Sequence, residues 1–185
     1  MSQQGTEFSV VYDSFLSKIT EDMYLELTEQ DTKNLLHELL VSALPKFEFP
    51  RHDLVYEYAS WEEEDEEGNI TPHEGWIFIH PLTLEEINII ATYMIVEWLG
   101  QQLASVENTR MKYSGSDFKF TSQANHMQKI LQMKKDYERE GFHLQRLYKR
   151  RIKDINGVYH STMSKIMEPP SSFPNQKKTA EEENP

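Results

Sequence analysis

The stretch from Thr83 to about Leu103 leaves this chain few choices of fold. Thr83 followed three residues later by Glu86 is a capping box, so a helix begins there. Behind it, Ile87, Ile89, Ile90, Ala91, Tyr93, Met94, Ile95, Val96, Trp98 and Leu99 cover nearly the whole helix circumference. A helix apolar on every side has to be surrounded by the rest of the protein. Asn88, Thr92 and Glu97 interrupt the run, which is too short and too polar to span a bilayer.

The rest of the chain supplies amphipathic cover. Val11 or Tyr12, Phe15 and Ile19 recur at helical spacing and predict a short helix. Thr28 can cap a second helix, with Asp31 in its first turn. Its stripe is Leu35, Leu36, Leu39, Leu40, Ala43 and Leu44, and Pro45 stops it. A turn at Ser114-Gly115-Ser116-Asp117 and an extended piece Phe118-Lys119-Phe120 precede a third long helix, from Thr121 or Ser122 to about Arg151. Met127, Ile130, Tyr137, Leu144, Leu147 and Tyr148 form its stripe, which Lys134 and Gly141 interrupt. Glycine inside a helix costs about 1 kcal/mol relative to alanine, so Gly141 calls for either a close helix–helix approach or a kink.

Residues 46–82 change period. Phe47-Glu48-Phe49, Leu54-Val55-Tyr56-Glu57-Tyr58 and Trp76-Ile77-Phe78-Ile79 are strand-like. Between the last two lie Glu62, Glu63, Glu64, Asp65, Glu66 and Glu67, followed by Gly68 and Asn69, which predicts a β-hairpin with a solvated acidic tip. The expected fold is mainly α: a small helical domain of three to four helices with an inserted β-hairpin and an extended C-terminal tail. Its expected divisions are a loose N-terminus over 1–8, a domain over 9–151 and a C-terminal arm and tail over 152–185.

The net charge of −12 conceals a strong asymmetry. Residues 1–109 carry 4 Lys and Arg against 22 Asp and Glu, a net of −18; residues 110–167 carry 13 against 5, a net of +8. A chain with an acidic front and a basic rear favours oriented association. The absence of cysteine excludes disulfides and Cys-based zinc sites. The start MSQQGTEFSV has no basic segment followed by an apolar one, so no signal peptide is expected.

Nothing in the sequence points to catalysis. It has no G-x-S-x-G, no glycine-rich phosphate loop and no paired-carboxylate signature, and its 7 glycines are too scattered for such loops. His73 and His80 could suggest a metal-dependent hydrolase, but their spacing puts them on opposite faces of a strand and no third ligand is evident. His37-Glu38 lacks the second histidine of a metalloprotease motif. The expectation is no enzyme, no metal and no cofactor. The basic cluster Arg146, Lys149, Arg150, Arg151 and Lys153 admits three readings: a cationic helix end that complements the dipole, a contact for an acidic protein surface, or a nucleic-acid contact.

Beyond the last helix, Ile155, Val158, Tyr159, Met163, Ile166 and Met167 are apolar residues too sparse to fold alone. Such a segment can dock into a groove on another subunit, with the methionines adapting to fit. From Pro169 onward the composition has almost nothing to bury.

Three segments carry a resemblance: FSVVYDSFLSKITEDMYLELTEQD, TLEEINIIATYMIVEWLGQQL and SGSDFKFTSQANHMQKILQMKKDYEREGFHLQRLYKRR. Together, over roughly residues 8–151, they resemble head–tail connector proteins of tailed bacteriophages, the adaptor or neck proteins that dock under the portal. The resemblance implies a virion protein made in the host cytoplasm, a helical domain repeated around a ring, commonly twelve-fold, and a central passage for DNA. It also implies partners: further copies of itself, the portal protein and the next neck or tail component, without a membrane. The docking arm it implies corresponds here to Arg150, Arg151, Lys153, Ile155, Val158, Tyr159, Met163, Ile166 and Met167. The acidic run from Glu62 to Glu67 would face the channel or a neighbour, and the insert over 59–75 has no counterpart in the family's minimal form. In such a ring, positive residues 110–167 of one copy would meet negative residues 1–109 of the next. The competing expectation is a small regulatory module that binds nucleic acid or a transcription protein through the helix ending at Arg151.

Overall fold

A computed structural model describes residues 5–19, 28–64, 70–112, 120–153 and 159–161. Along the chain run β1 (Thr6–Glu7), α1 (Phe8–Leu16), α2 (Glu29–Ala43), a 3-10 turn (Leu44–Lys46), β2 (Tyr56–Glu64), β3 (Ile70–Phe78), α3 (Leu84–Lys112), α4 (Phe120–Arg150), β4 (Arg151–Lys153) and β5 (Tyr159–Ser161). The fold is mainly α with an inserted hairpin, as expected. Two compact units divide it, Met1–Arg146 and Leu147–Pro185, upstream of the boundary expected at 151.

In the first unit, α3 is the buried helix. All ten apolar residues from Ile87 to Leu99 named above are buried. Its capping box closes as the sequence predicts: the Thr83 N–H donates to the Glu86 carboxylate at 2.8 Å and the Glu86 N–H donates to Thr83 Oγ1 at 3.3 Å. The helix continues to Lys112, beyond the end expected near Leu103. Helices α1 and α2 pack on it, through Phe8, Val11 and Phe15 and through Leu36, Leu39, Leu40 and Ala43. Each such side chain contributes roughly 1.5–3 kcal/mol when fully buried. The Asp31 N–H donates to Thr28 Oγ1 at 3.1 Å to open α2, and Pro45 sits in the 3-10 turn that ends it.

Helix α4 returns antiparallel to α3. Tyr93 lies against Gly141, and Gly100, further along α3, faces Lys134, earlier on α4. A Cβ at Gly141 would stand 2.9 Å from the Tyr93 ring. Helix α4 runs unbroken through that position, so Gly141 serves a close approach and not a helix break. One turn later, Gln145 is 1% exposed and fully engaged. Its Nε2 donates to the Tyr93 hydroxyl at 2.5 Å and to the Lys46 carbonyl at 3.3 Å, and its Oε1 accepts from the Glu48 N–H at 3.0 Å. An ion pair between Lys46 and Glu97 fastens the same segment to α3. These bonds explain why Phe47-Glu48-Phe49 is not the strand its alternation predicts: a side-chain amide satisfies the backbone there, and Phe47 is buried.

The three-stranded antiparallel sheet has the order β1-β3-β2. Pairing of β2 with β3 runs without a bulge from Tyr56↔Phe78 to Glu64↔Ile70. The strand predicted from Leu54 begins at Tyr56, although the Ile79 N–H still reaches the Val55 carbonyl at 3.0 Å. The N-terminus corrects another expectation. Residues 6–8, expected to be loose, are structural: Thr6 and Glu7 pair with Phe78 and Ile77, and Phe8 is 2% exposed. A Cβ at Gly5 would stand 2.2 Å from the Phe78 carbonyl oxygen, so only glycine fits where the chain enters the sheet. The Phe8 ring then lies 4.7 Å from Phe78, 5.2 Å from Tyr56 and 5.8 Å from His37, centroid to centroid.

Phe120 opens α4 instead of ending an extended piece; Phe118, Lys119 and the turn at 114–117 lie outside the described residues. In the second unit, the arm expected to be extended forms a two-stranded ribbon at its start, with Arg151↔Ser161 and Lys153↔Tyr159 paired.

Two substitutions test the α3–α4 contact. Gly141→Ala gains about 1 kcal/mol of helix propensity but forces a methyl group into the Tyr93 ring, an overpacking cost of roughly 1–3 kcal/mol. The variant is expected to melt below the wild type by circular dichroism. Gln145→Leu keeps the bulk but strands the Glu48 N–H, the Lys46 carbonyl and the Tyr93 hydroxyl, with an expected loss of about 2 kcal/mol or more in urea unfolding.

Candidate functional site

The hairpin presents two chemically different faces. On one, Tyr56, Tyr58, Ser60 and Glu62 lie opposite Phe78, Trp76, Glu74 and Pro72. Burial falls along it. Phe78 is 1% exposed at the root, Trp76 37% and Tyr58 54%. The Tyr58 and Trp76 rings meet edge to face, 5.4 Å between centroids at 79°. Beyond this pair, Ser60, Glu74 and Glu62 are exposed. On the other face, Trp61 stacks on His73 at 6.0 Å and 17° and covers Gly75, where a Cβ would lie 3.5 Å from the indole. From Tyr56 to Phe78 the sequence holds 8 acidic residues (Glu57, Glu62, Glu63, Glu64, Asp65, Glu66, Glu67 and Glu74) and no lysine or arginine.

Of the predicted acidic run, Glu62 is exposed and Glu63 and Glu64 complete β2, while Asp65, Glu66 and Glu67 lie outside the described residues. The exposed pair Tyr58–Trp76 went unrecognised in the sequence. Its signal was the strand alternation, which puts Tyr58 on the face of Ser60 and Glu62.

Helix α4 carries the opposite charge. Lys135, Arg139, Phe142 and Arg146 recur at spacings of four, three and four, and all are exposed. Phe142 is 47% exposed, with the Arg146 guanidinium 5.7 Å from its ring centroid. Two acids of this helix already have partners: Asp136 meets Arg139 at 3.3 Å and Glu138 meets Lys134 at 3.1 Å. From Gly141 to Arg151 the sequence has Arg146, Lys149, Arg150 and Arg151 and no acid. Arg150 and Arg151 are exposed; Lys153 and Tyr159 belong to β4 and β5; Ile155, Val158, Met163, Ile166 and Met167 lie outside the described residues.

His73 and His80 do not converge: His73 stacks on Trp61, and His80 stacks on His52 at 5.0 Å. Among the described residues no group of three or more His, Asp or Glu could hold a metal ion, and no helix is long and apolar enough to cross a membrane. Two surfaces stand out by charge: an acidic, aromatic hairpin face and a basic helix stripe centred on a phenylalanine. Compared with protein-family models, curated proteins and solved structures, the chain has no significant match.

Burial raises the pKa of the Tyr12 phenol. It also raises that of Tyr93, against the opposing effect of the Gln145 hydrogen bond. A group whose folded pKa lies above its unfolded one stabilises fully below the unfolded value, here about pH 10, and loses that contribution as pH rises beyond it. Tyr12→Phe should therefore lose melting temperature less steeply than wild type above about pH 10. Parallel alkaline limbs in the two proteins would show that Tyr12 titrates normally.

Proposed function

We propose that the chain is a non-catalytic structural subunit: a head–tail connector of a tailed bacteriophage, forming a ring between portal and tail that leaves a channel for DNA. The observation that carries the reading is charge segregation, a net of −18 over residues 1–109 against +8 over residues 110–167. It supports head-to-tail contact between identical copies, which closes into a ring when the rotation permits. The resemblance over residues 8–151 supports the portal as the neighbour on one side and a further neck or tail component on the other. In this reading the protein acts in the neck of the virion, with DNA only passing through. The segment from Arg150 to Met167 is the docking arm, its apolar residues covered when the portal is bound.

A second reading draws on the exposed Arg146, Lys149, Arg150 and Arg151 at one helix end. A module using them would bind nucleic acid with a steep salt dependence, and no mobility shift in low salt would end that reading.

The connector reading is tested by mixing the full chain with its portal and imaging the particles. A ring of copies on one end of the portal is expected. A chain that stays monomeric and ignores the portal overturns the reading. Truncation after Arg151 is expected to keep the helical fold and weaken portal docking. If the truncated chain fails to fold, the tail belongs to the core.

A further inference from the structure

The hairpin and α4 carry two partly exposed patches of opposite charge, each built around aromatic rings. On the hairpin, Tyr58 and Trp76 form an aromatic step with Glu74 and Glu62 beyond it on the same face. On α4, Phe142 stands between Arg139 and Arg146 on one exposed stripe. Exposures of 54% for Tyr58, 37% for Trp76 and 47% for Phe142 leave part of each ring available to a partner, while the Trp76 ring is backed by His37 at 5.1 Å.

The geometry points to a copy-to-copy contact in which the α4 stripe of one chain lies across the Tyr58–Trp76 face of the next. Phe142 packs on the aromatic step and Arg146 meets Glu74. This rests on the ring-forming reading above and names the two surfaces that would build the ring.

The spacings agree. Phe142 to Arg146 is one helical turn, a rise of about 6 Å at 1.5 Å per residue. Trp76 to Glu74 is two strand residues, about 6.8 Å at 3.4 Å per residue. With α4 laid along β3, ring-on-ring contact would therefore bring the guanidinium level with the carboxylate. Arg146 already lies on the Phe142 face, so cation and ring arrive together. Charge selects the pairing. Two hairpins repel each other, with 8 acids and no lysine or arginine from Tyr56 to Phe78, and two basic stripes repel likewise. A second copy is thus the occupant argued for: it holds both halves of the match, at different places on its surface, and so makes a heterologous contact that can propagate around a ring.

The test is a charge exchange read by sedimentation of the full chain at low salt. Glu74→Arg and Arg146→Glu are each expected to weaken self-association by about tenfold or more, and the double variant to recover most of it, because the reversed pair is again complementary. An equimolar mixture of the two single variants should associate better than either alone, since both contacts between unlike chains pair opposite charges, one the original pair and the other the reversed one. Both positions are exposed, so unchanged thermal melting accompanies the expected result. Wild-type chains that associate with no loss in either single variant, or singles that weaken without recovery in the double, overturn this contact and leave the ring reading standing. Wild-type chains that remain monomeric up to about millimolar concentration, where even weak contacts register, also overturn it. The ring reading falls as well only if those chains also ignore the portal.

Discussion

The Tyr93 ring seated against Gly141 ties α4 to the central helix α3, and the hydrogen bonds of the next turn join three parts of the first unit there. Helix α3 is apolar around most of its circumference, and α1 and α2 cover only part of it. Without a Cβ at Gly141 the Tyr93 ring lies against the α4 backbone. A buried phenol needs a partner for its hydroxyl, and Gln145, one turn on, supplies it. The same amide holds the Lys46 carbonyl and the Glu48 N–H, so a single turn of α4 fixes both the central helix and the chain leaving α2. That chain leads into the hairpin, whose root is set by Tyr56 and Phe78 packing on Phe8.

Local chemistry made much of this legible. The Thr83–Glu86 box, the Thr28 cap and the all-round apolar pattern of α3 are decided within a few residues, and each formed as the residue types require. What depended on distant partners was not legible. Phe47-Glu48-Phe49 alternates like a strand, but its backbone partner is Gln145, 97 residues along the chain from Glu48. Strand β1 has two residues and no period to read, and it exists because Gly5 slips past the Phe78 carbonyl. Gly141 announced either an approach or a kink, and only the position of Tyr93 decides which. At the candidate surfaces the charges were plain in the sequence; the rings among them were not, because Tyr58 and Trp76 look like ordinary strand residues until the register pairs them.

The hairpin's acidity has a structural use as well. Strand β2 lies at the sheet edge, and its pairing with β3 has no bulge to discourage a further strand. Such an edge invites pairing with its own kind in another copy. Glu57 and Glu62, exposed along β2, place like charges along that edge, so edge-to-edge pairing of identical copies is repulsive. The same charges attract a basic surface. In the ring proposed, acidic side chains would suppress the symmetric association and leave the oriented one.

In the contact proposed, stability and association are carried by different residues. Tyr58, Glu74, Trp76, Phe142 and Arg146 are all exposed, whereas Phe8, Tyr93 and Gln145, which hold the elements together, are buried. A contact between copies made of a few charge pairs and one aromatic step is weak by itself and is screened by salt. In the ring we propose, each copy uses its hairpin once and its α4 stripe once. Closure then adds one more contact than an open row of the same length contains, formed at the high effective concentration of chain ends already held together. Weak pairwise contacts would therefore give partial, concentration-dependent association of free chains and a complete ring once a symmetric template collects them. The portal, itself a ring, would supply that template, and an arm that binds it would supply the collection.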